Sequence, residues 1–374
     1  MKSPPERAPL KIASIHMWKT NWDLTTRRFI KWWNREGLVL GAWSAVDTGR
    51  AQHEHFPAPP GPATLERRYC DPVFRAAENH YRLSRSIFPL DELPLACTDL
   101  GPGSLALFLG SEPEFDEQTV WYHTALADDS DLSRPLRFDP SNRWWRVSEA
   151  IVRQCAAAAR GKYIVGFPDL IENMDILASL RGAETLCMDL IERPEWIEQK
   201  LQEINQAWFE AYTRIYDIIK LDDGSSAYGP FAVWGPGKVA KVQCDCSAMF
   251  SPDMFASMVV PALSAQCEWL DHSLYHLDGT QAIGHLDALL GIDALDAIEW
   301  TPQAGLEPGG HPRWYELYRR ILRGGKSVQV MGVQPCEIRP LLDAIGNQGV
   351  YIIAGINDEA DAELMLEQAG GYYS

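Results

Sequence analysis

From about residue 160 to the end of the chain, short runs of β-branched and aromatic residues alternate with longer segments in which apolar residues recur every three to four positions. The short runs predict buried strands and the longer segments predict amphipathic helices. Such alternation is typical of repeated βα units, which build a parallel sheet. The strands predicted in this part of the chain are Lys162–Phe167, Val239–Cys246, Ser273–His276, Ala297–Thr301, Ser327–Met331 and Val350–Ala354.

Two earlier runs, Leu38–Val46 and Leu93–Thr98, bring the predicted strands to eight. Eight parallel strands that alternate with helices close into a barrel, and 374 residues are within the range of one large barrel domain. The sequence therefore predicts the α/β class and a single (β/α)8 TIM barrel domain over residues 1–374. We interpret residues 1–37 as an N-terminal extension.

Two regions interrupt the strand and helix cycle. Residues 47–70 are rich in proline, histidine and alanine, and residues 111–145 contain the acidic run Asp128–Asp131. We interpret the second region as an insertion. Insertions in a barrel usually shape the mouth of the site and do not add a separate domain.

The composition narrows the classes of function. No segment approaches the roughly 18 uncharged apolar residues of a membrane span, and a net charge of -17 disfavours nucleic acid as a partner. Residues 1–9 show no secretion signal, so we expect the 8 cysteines to be thiols and the protein to be cytoplasmic. The 14 tryptophans are expected mostly in the core, with some free to line a pocket. The sequence is compatible with a homo-oligomer.

The strongest chemical signal is the segment Tyr275-His276-Leu277-Asp278-Gly279. His276 and Asp278 lie two positions apart, so both point to the same side of a strand, and Gly279 allows the backbone to turn at the strand's carboxyl end. In α/β enzymes the chemistry lies at that end. The alternative is a buried histidine that its neighbouring aspartate holds through one hydrogen bond.

Several segments, in a fixed order along the chain, resemble those of a known protein family. These segments are Thr98-Asp99-Leu100 with Ala106–Gly110, Ile164–Phe167 with Leu180-Arg181-Gly182, Ser251–Phe255 with Val260-Pro261, the His276 segment, and Asp296–Trp300. Over roughly residues 90 to 370 the chain resembles the uroporphyrinogen decarboxylase superfamily. That superfamily groups the decarboxylase with methyltransferases that pass methyl groups between corrinoids and thiols. The resemblance implies a TIM barrel, but function diverges widely within the superfamily.

The decarboxylase itself carries an arginine-rich amino-terminal signature, and only the isolated pairs Arg27-Arg28 and Arg67-Arg68 occur in this chain. A true porphyrinogen decarboxylase is therefore not expected. Its catalytic aspartate, however, lies in a segment similar to Thr98-Asp99-Leu100. The resemblance thus makes Asp99 a candidate catalytic carboxylate, and the alternative is that Asp99 caps a turn.

The methyltransferase branch has His-x-Cys-Gly where this chain has His276-Leu277-Asp278-Gly279, and there the histidine and cysteine bind zinc with a further cysteine on the last strand. Here Asp278 replaces the first cysteine, and the last strand has none. Zinc accepts aspartate oxygen, so the resemblance implies His276 and Asp278 as ligands. A third ligand must come from elsewhere, and the candidates are Asp245, Cys244, Cys246 and Cys336. Cys244 and Cys246 are read more simply as small buried residues on a strand.

Other polar residues at predicted strand ends are candidates for substrate binding: Asp169, Asp175, Arg181, Glu299 and Trp300. Asp175 could instead start a helix and pair with Arg181.

We therefore expect an enzyme that acts on a small molecule through Asp99, His276 and Asp278, with Zn2+ on His276 and Asp278. By resemblance, the reaction is methyl transfer, and a partner protein would carry the corrinoid. Two alternatives stay open. One is a metal-free decarboxylase or lyase that acts through Asp99 on a small carboxylic acid, and the other is a barrel that binds a ligand without catalysis.

Overall fold

The computed structural model describes residues 17–43 and 45–373, and its strands and helices alternate along most of the chain. The strands in chain order are β1 (Leu38–Ala42), β2 (Val46–Asp47), β3 (Ser86–Ile87), β4 (Leu95–Ala96), β5 (Pro113–Phe115), β6 (Val120–Tyr122), β7 (Ile164–Phe167), β8 (Ser226–Tyr228), β9 (Val233–Gly235), β10 (Val239–Gln243), β11 (His272–Asp278), β12 (Ala297–Thr301), β13 (Ser327–Val333) and β14 (Val350–Ala354).

The α-helices in chain order are α1 (Trp22–Trp33), α2 (Leu65–Cys70), α3 (Pro72–Ser84), α4 (Leu105–Phe108), α5 (Arg143–Ala159), α6 (Asn173–Arg181), α7 (Ala183–Glu192), α8 (Pro194–Ile219), α9 (Pro252–Met254), α10 (Val260–Trp269), α11 (Gly279–Ala282), α12 (Leu286–Leu290), α13 (Tyr315–Arg323), α14 (Ile338–Ile345) and α15 (Glu359–Ala369). Among the helices of the described ranges, none has the length and apolar character needed to cross a membrane.

The strands form a mixed α/β architecture around two main sheets. The larger sheet has six parallel strands in the order β1-β14-β13-β12-β11-β10. The smaller sheet has the order β4-β7-β8-β9, in which only the β8 to β9 pairing is antiparallel. Because helices separate most of the parallel strands along the chain, both sheets follow the predicted βα pattern.

Within the described residues, no strand ladder joins the two sheets, but polar contacts link the two outer strands of the larger sheet to segments of the smaller sheet. On one side, the backbone amide of Asp91, shortly before β4, donates to the carbonyl of Leu40 on β1 at 2.8 Å. On the other side, Lys241 Nζ on β10 lies 2.9 Å from Asp169 Oδ1, just after β7. Closure of the barrel, which the sequence predicts, therefore stays a prediction.

Each predicted strand has a counterpart, with some changes of length. The predicted strand Leu38–Val46 is divided between β1 and β2, and the predicted strand Leu93–Thr98 is shortened to β4. The predicted strand Val239–Cys246 is shortened to β10, which ends at Gln243. Cys244 and Cys246 consequently lie in the turn after β10 and not on a strand, which corrects the prediction for them. β8 and β9 were not predicted, because a strand of three residues beside proline and glycine leaves no periodic signal.

The segment interpreted as an N-terminal extension contains α1, and residues 1–16 lie outside the described part. Apolar residues on one face of α1 are buried, and the indole nitrogen of Trp33 donates to the carbonyl of Trp234 on β9 at 2.9 Å. The Trp33 ring stacks on His272 at 4.7 Å, and the Ser327 hydroxyl donates to the carbonyl of Trp32. His272 and Ser327 begin β11 and β13, so α1 covers the amino-terminal ends of these strands.

The predicted insertion, residues 111–145, contains the antiparallel hairpin β5–β6 and the start of α5. The hydroxyl of Tyr122 on β6 donates to the carbonyl of Leu100 at 2.9 Å. This bond places the hairpin beside the carboxyl end of β4, next to Asp99.

Replacement of Trp32 by alanine tests the role of α1. Trp32 is fully buried, so Trp32→Ala should lower the free energy of unfolding by about 3–5 kcal/mol, as for other large core residues. Trp121, which is 63% exposed in the hairpin, is the matched control, and Trp121→Ala should change stability by less than about 1 kcal/mol. Urea unfolding measures both, and equal losses would contradict a structural role for α1.

Candidate active site

One row of polar side chains crosses the larger sheet. Gln243 pairs in register with His276, His276 with Glu299, Glu299 with Gln329, and Gln329 with Tyr351. Residues that are direct register neighbours point to the same side of a sheet. All five are buried, so β10 to β14 present one continuous polar row on their inner side.

His276 is held by its neighbour in this row. Its Nδ1 is hydrogen-bonded to Glu299 Oε2, and the Thr301 hydroxyl donates to Glu299 Oε1 at 2.7 Å. Burial acts to lower the pKa of His276, but the carboxylates of Glu299 and Asp245 outweigh burial and raise it above its usual value. Burial also raises the pKa of Glu299, and the imidazole offsets only part of that effect. Glu299 is fully buried and holds the His276 ring through this bond, and its predicted contact with substrate stays a prediction.

The other imidazole nitrogen faces two carboxylates. Asp245 Oδ1 lies 3.9 Å from His276 Nε2, and ligand atoms of Asp245, His276 and Asp278 all lie within 4.8 Å of one another. Gly279, with a φ of 74°, turns the chain directly after Asp278, as the sequence predicts. The structure thus brings the two predicted ligands together with Asp245, one of the four candidates for the third.

This donor set fits a zinc ion. Catalytic zinc sites use three nitrogen and oxygen ligands and keep a fourth position open, and a metal-bound histidine commonly donates its other ring nitrogen to a carboxylate. Here that carboxylate is Glu299, which is bonded to Nδ1 of His276. The side chain of Asp245 is 45% exposed, which leaves the cluster open to a small molecule.

The position of Asp245 is fixed from behind by Asp175. The Asp175 carboxylate accepts the backbone amides of Asp245 at 2.8 Å and of Cys246 at 2.9 Å. The Gln243 side-chain amide donates to Asp245 Oδ2 at 2.8 Å and to Asp175 Oδ2 at 3.0 Å. Burial and the Asp175 carboxylate raise the pKa of Asp245 to about 7. Asp175 therefore shapes the turn after β10. Its predicted contact with substrate stays a prediction.

Lys241 is a site residue that sequence reasoning missed. Its ammonium group lies 2.9 Å from Asp169 Oδ1 and also donates to Gln243 Oε1, and the Tyr228 hydroxyl donates to Asp169 at 3.1 Å. Burial opposes the charge on Lys241, but Asp169 and Glu172 outweigh it and raise the pKa, so the lysine stays protonated. A lysine inside the apolar run Val239–Gln243 was the available signal, because lysine is seldom buried unless it is paired.

Asp99 joins the same network from the smaller sheet. Its Oδ1 accepts the backbone amide of Asp169, and its Oδ2 accepts the thiol of Cys97 at 2.9 Å. Burial raises the pKa of the Asp99 carboxyl. Polar contacts therefore lead from Asp99 through Asp169 and Lys241 to the residues around His276. A catalytic role for Asp99 stays a prediction.

Arg181 and Trp300, two predicted substrate contacts, lie apart from the polar row, and their contact with substrate stays a prediction. Arg181 donates to Asp189 Oδ2 at 2.7 Å and to Asp129 Oδ1 at 2.7 Å, so its guanidinium ties α6 to α7 and to the insertion and does not pair with Asp175. Trp300 points away from Glu299 along β12, is fully buried and packs on Trp314 with ring centroids 5.0 Å apart. The two carboxylate partners of Arg181 explain its position. Side chains alternate along a strand, which explains why Trp300 and Glu299 point to opposite sides of β12.

Phe231 is a second residue that the sequence did not reveal. It lies in the turn between β8 and β9 with a φ of 64°, followed by Ala232 with a φ of 46°. Gln329 donates to the carbonyl of Phe231 at 2.8 Å and Tyr351 to that of Ala232 at 2.9 Å, so the polar row holds this strained turn. The Phe231 ring lies 4.6 Å from the His276 ring and covers one of its sides.

The outer helices carry separate cavities. One of about 540 Å³ lies between α8 and α10 and is lined by residues such as Glu198, Asn205 and Met258. Another of about 700 Å³ is lined by residues such as Met17, Tyr163 and Ile219. Neither shares a lining residue with the polar row or with the network around Lys241. The chemistry of the inner side chains, and not cavity size, identifies the site.

Comparisons with known proteins bear on the fold. No protein-family model matches the sequence, and no curated protein matches it either. Among solved structures, a methyltransferase from Methanosarcina mazei matches with a TM-score of 0.59, over 94% of this chain and 99% of that chain, at 10% sequence identity. At this identity the likeness shows that the two chains share an overall α/β fold.

Glu172 provides a test of the charge balance in this network. The carboxyl is fully buried, accepts the backbone amide of Gln243, and has a pKa well above the usual value because of burial. Because its folded-state pKa is raised, the Glu172 carboxyl contributes stability that is fully present at pH values below the ordinary carboxyl pKa. This contribution is lost as the pH rises towards the raised pKa. Glu172→Gln should therefore lose less stability than the wild type as the pH rises above the ordinary carboxyl pKa of 4.5.

Urea unfolding across this pH range measures the difference. The exposed Glu198→Gln should follow the wild type. Parallel curves for Glu172→Gln and the wild type would show that the Glu172 carboxyl is ionised in the folded protein.

Proposed function

We propose that this chain is a zinc-assisted methyltransferase that acts on a small molecule, with Asp245, His276 and Asp278 as the metal ligands. The observation that carries the proposal is the orientation of His276. Glu299 holds Nδ1, so the Nε2 lone pair of the metal-bound form is directed to the side where the two aspartates lie. The structural neighbour from Methanosarcina mazei is a methyltransferase, which supports the choice of reaction.

The fold that we propose is a closed barrel of β1, β4, β7 and β10–β14. Six of these strands are already paired in parallel, and β4 pairs with β7 in parallel. The contacts of Asp91 with β1 and of Lys241 with Asp169 support closure, because they tie both outer strands of the larger sheet, β1 and β10, to the smaller sheet.

A bound zinc ion would supply Lewis acidity, which polarises a substrate or lowers the pKa of an acceptor group. The remaining work belongs to the chain's own residues. Glu299 and Thr301 fix the imidazole, Asp175 and Gln243 fix Asp245, and Phe231 keeps water from one side of His276. Lys241 is paired with Asp169, which offsets part of its repulsion of a cation at the cluster.

From the resemblance of the His276 segment, we further propose that the methyl donor is a corrinoid carried by a partner protein. The decarboxylase alternative has less support, because both oxygens of Asp99 accept hydrogen bonds from within the chain. Turnover of any substrate would distinguish the methyltransferase and the decarboxylase from a barrel that binds a ligand without catalysis.

Metal content is the first test. Purified protein should hold zinc at the cluster, and His276→Gln and Asp278→Asn should each hold about one equivalent of zinc per chain less than the wild type, because two protein ligands rarely retain zinc. His123, which is exposed, provides the matched control, and His123→Gln should keep the metal. Elemental analysis by mass spectrometry measures all four proteins. Wild-type protein that takes up no zinc after reconstitution would eliminate the proposed site.

Activity is the second test. Wild-type protein with zinc should demethylate free methylcobalamin in the presence of a small thiol, followed by the change in cobalamin absorbance, and chelator should abolish the reaction. Asp278→Asn should be inactive, since its metal is lost. Turnover of a small carboxylic acid that survives chelator and is lost in Asp99→Asn would favour the decarboxylase. Ligand binding with no turnover of any substrate class would favour the binding barrel.

Glu299→Gln tests how His276 is positioned. Loss of the carboxylate behind a metal-bound histidine typically weakens metal affinity about 10 to 100-fold, and a decrease of that size is expected here. Thr301→Ser keeps the hydroxyl that holds Glu299 and should retain the wild-type affinity. Competition with a chromophoric chelator measures both. Unchanged affinity in Glu299→Gln would show that His276 does not bind the metal.

A further inference from the structure

A second cluster of metal-binding atoms lies beside the first. Asp175, Cys244 and Cys246 each offer one ligand atom within 4.8 Å of the others. The two sulfur atoms are 3.8 Å apart, and both cysteines are free thiols. Cys244 is buried, whereas Cys246 and Asp175 are partly exposed, so a small ion can reach the cluster.

The spacing of the sulfurs agrees with shared coordination. With zinc to sulfur bonds of about 2.3 Å and tetrahedral angles, two thiolates on one ion lie about 3.8 Å apart. The Cys244 and Cys246 sulfurs have that separation without any movement. The turn after β10 has therefore already brought both thiols to the distance that a tetrahedral ion requires.

The carboxylate beside them is held in place by the same turn. Asp175 accepts the backbone amides of Asp245 and Cys246, which fixes its orientation as a surrounding shell fixes a metal ligand. Contact between two small apolar side chains would explain the sulfur pair alone. Bonds to the backbone fix Asp175, and one of its carboxylate oxygens lies within 4.8 Å of both sulfurs, which places a third ligand atom beside the pair.

The two clusters differ in chemistry. Asp245, His276 and Asp278 offer oxygen and nitrogen, whereas two thiolates favour softer, thiophilic ions. Because Asp245 lies between the two cysteines in the chain, one short segment serves both clusters.

We propose that Asp175, Cys244 and Cys246 form a second metal site, which takes a thiophilic d10 cation such as Zn2+ or Cd2+ and is separate from the His276 cluster. The ion displaces the two thiol protons to solvent as the sulfur to metal bonds form, with no change of oxidation state. The site does not depend on the proposed methyl transfer.

Cadmium titration of chelator-stripped, reduced protein tests this proposal. Wild-type protein should show a thiolate-to-cadmium charge-transfer band, and the double variant Cys244→Ser/Cys246→Ser should lose it. The matched control Cys70→Ser/Cys336→Ser removes the same number of thiols and should keep the band. His276→Gln/Asp278→Asn should also keep it, with one fewer equivalent of metal per chain. This last variant separates failure of the second site from failure of the proposed function.

A measurement on unmodified protein guards against misfolding of the variants. Cadmium should protect Cys246 from alkylation by iodoacetamide, as mapped by mass spectrometry, and should leave the exposed Cys336 reactive. Absence of the band in the wild type, its persistence in Cys244→Ser/Cys246→Ser, or equal alkylation of Cys246 with and without cadmium would each overturn the proposal.

Discussion

The ion pair between Lys241 and Asp169 organises the interior of this protein. A lone buried ammonium group would be strongly unfavourable, and its pairing with Asp169, together with the bond to Gln243, offsets that penalty. Lys241 lies on β10 and Asp169 follows β7, so the pair also links the larger sheet to the smaller one.

The site depends on that pair for its balance of charge. Gln243, oriented by Lys241, holds Asp245 through its amide, and Asp245 lies opposite His276. Carboxylates nevertheless outnumber the basic groups in this part of the interior, where Asp169, Asp175, Asp245, Asp278 and Glu299 surround Lys241 and His276. An excess of acidic groups around an open imidazole favours a bound cation. The geometry and the charge balance support the same proposal by separate arguments.

Sequence reasoning recovered the long elements of the fold and named three polar residues that the structure brings together. Ala297–Thr301 and Val350–Ala354 have the predicted bounds, because a buried parallel strand rich in β-branched and aromatic residues gives a strong signal. His276, Asp278 and Asp245 were named because their spacing or chemistry was visible locally. The roles of Glu299, Lys241 and Phe231 were not visible, since each depends on which strands become neighbours. The turn at Phe231 is the extreme case, because neither phenylalanine nor alanine favours a left-handed backbone, and bonds from the distant Gln329 and Tyr351 help to hold it there.

The contacts of α1 bear on how the chain folds. Ser327 donates to Trp32, and Arg28 donates to Tyr373 at 2.8 Å, so this helix bonds to segments 295 and 345 residues further along the sequence. Contacts this distant in sequence slow folding. The helix can therefore complete its contacts only when these distant segments have folded, which makes its final docking a late step of folding.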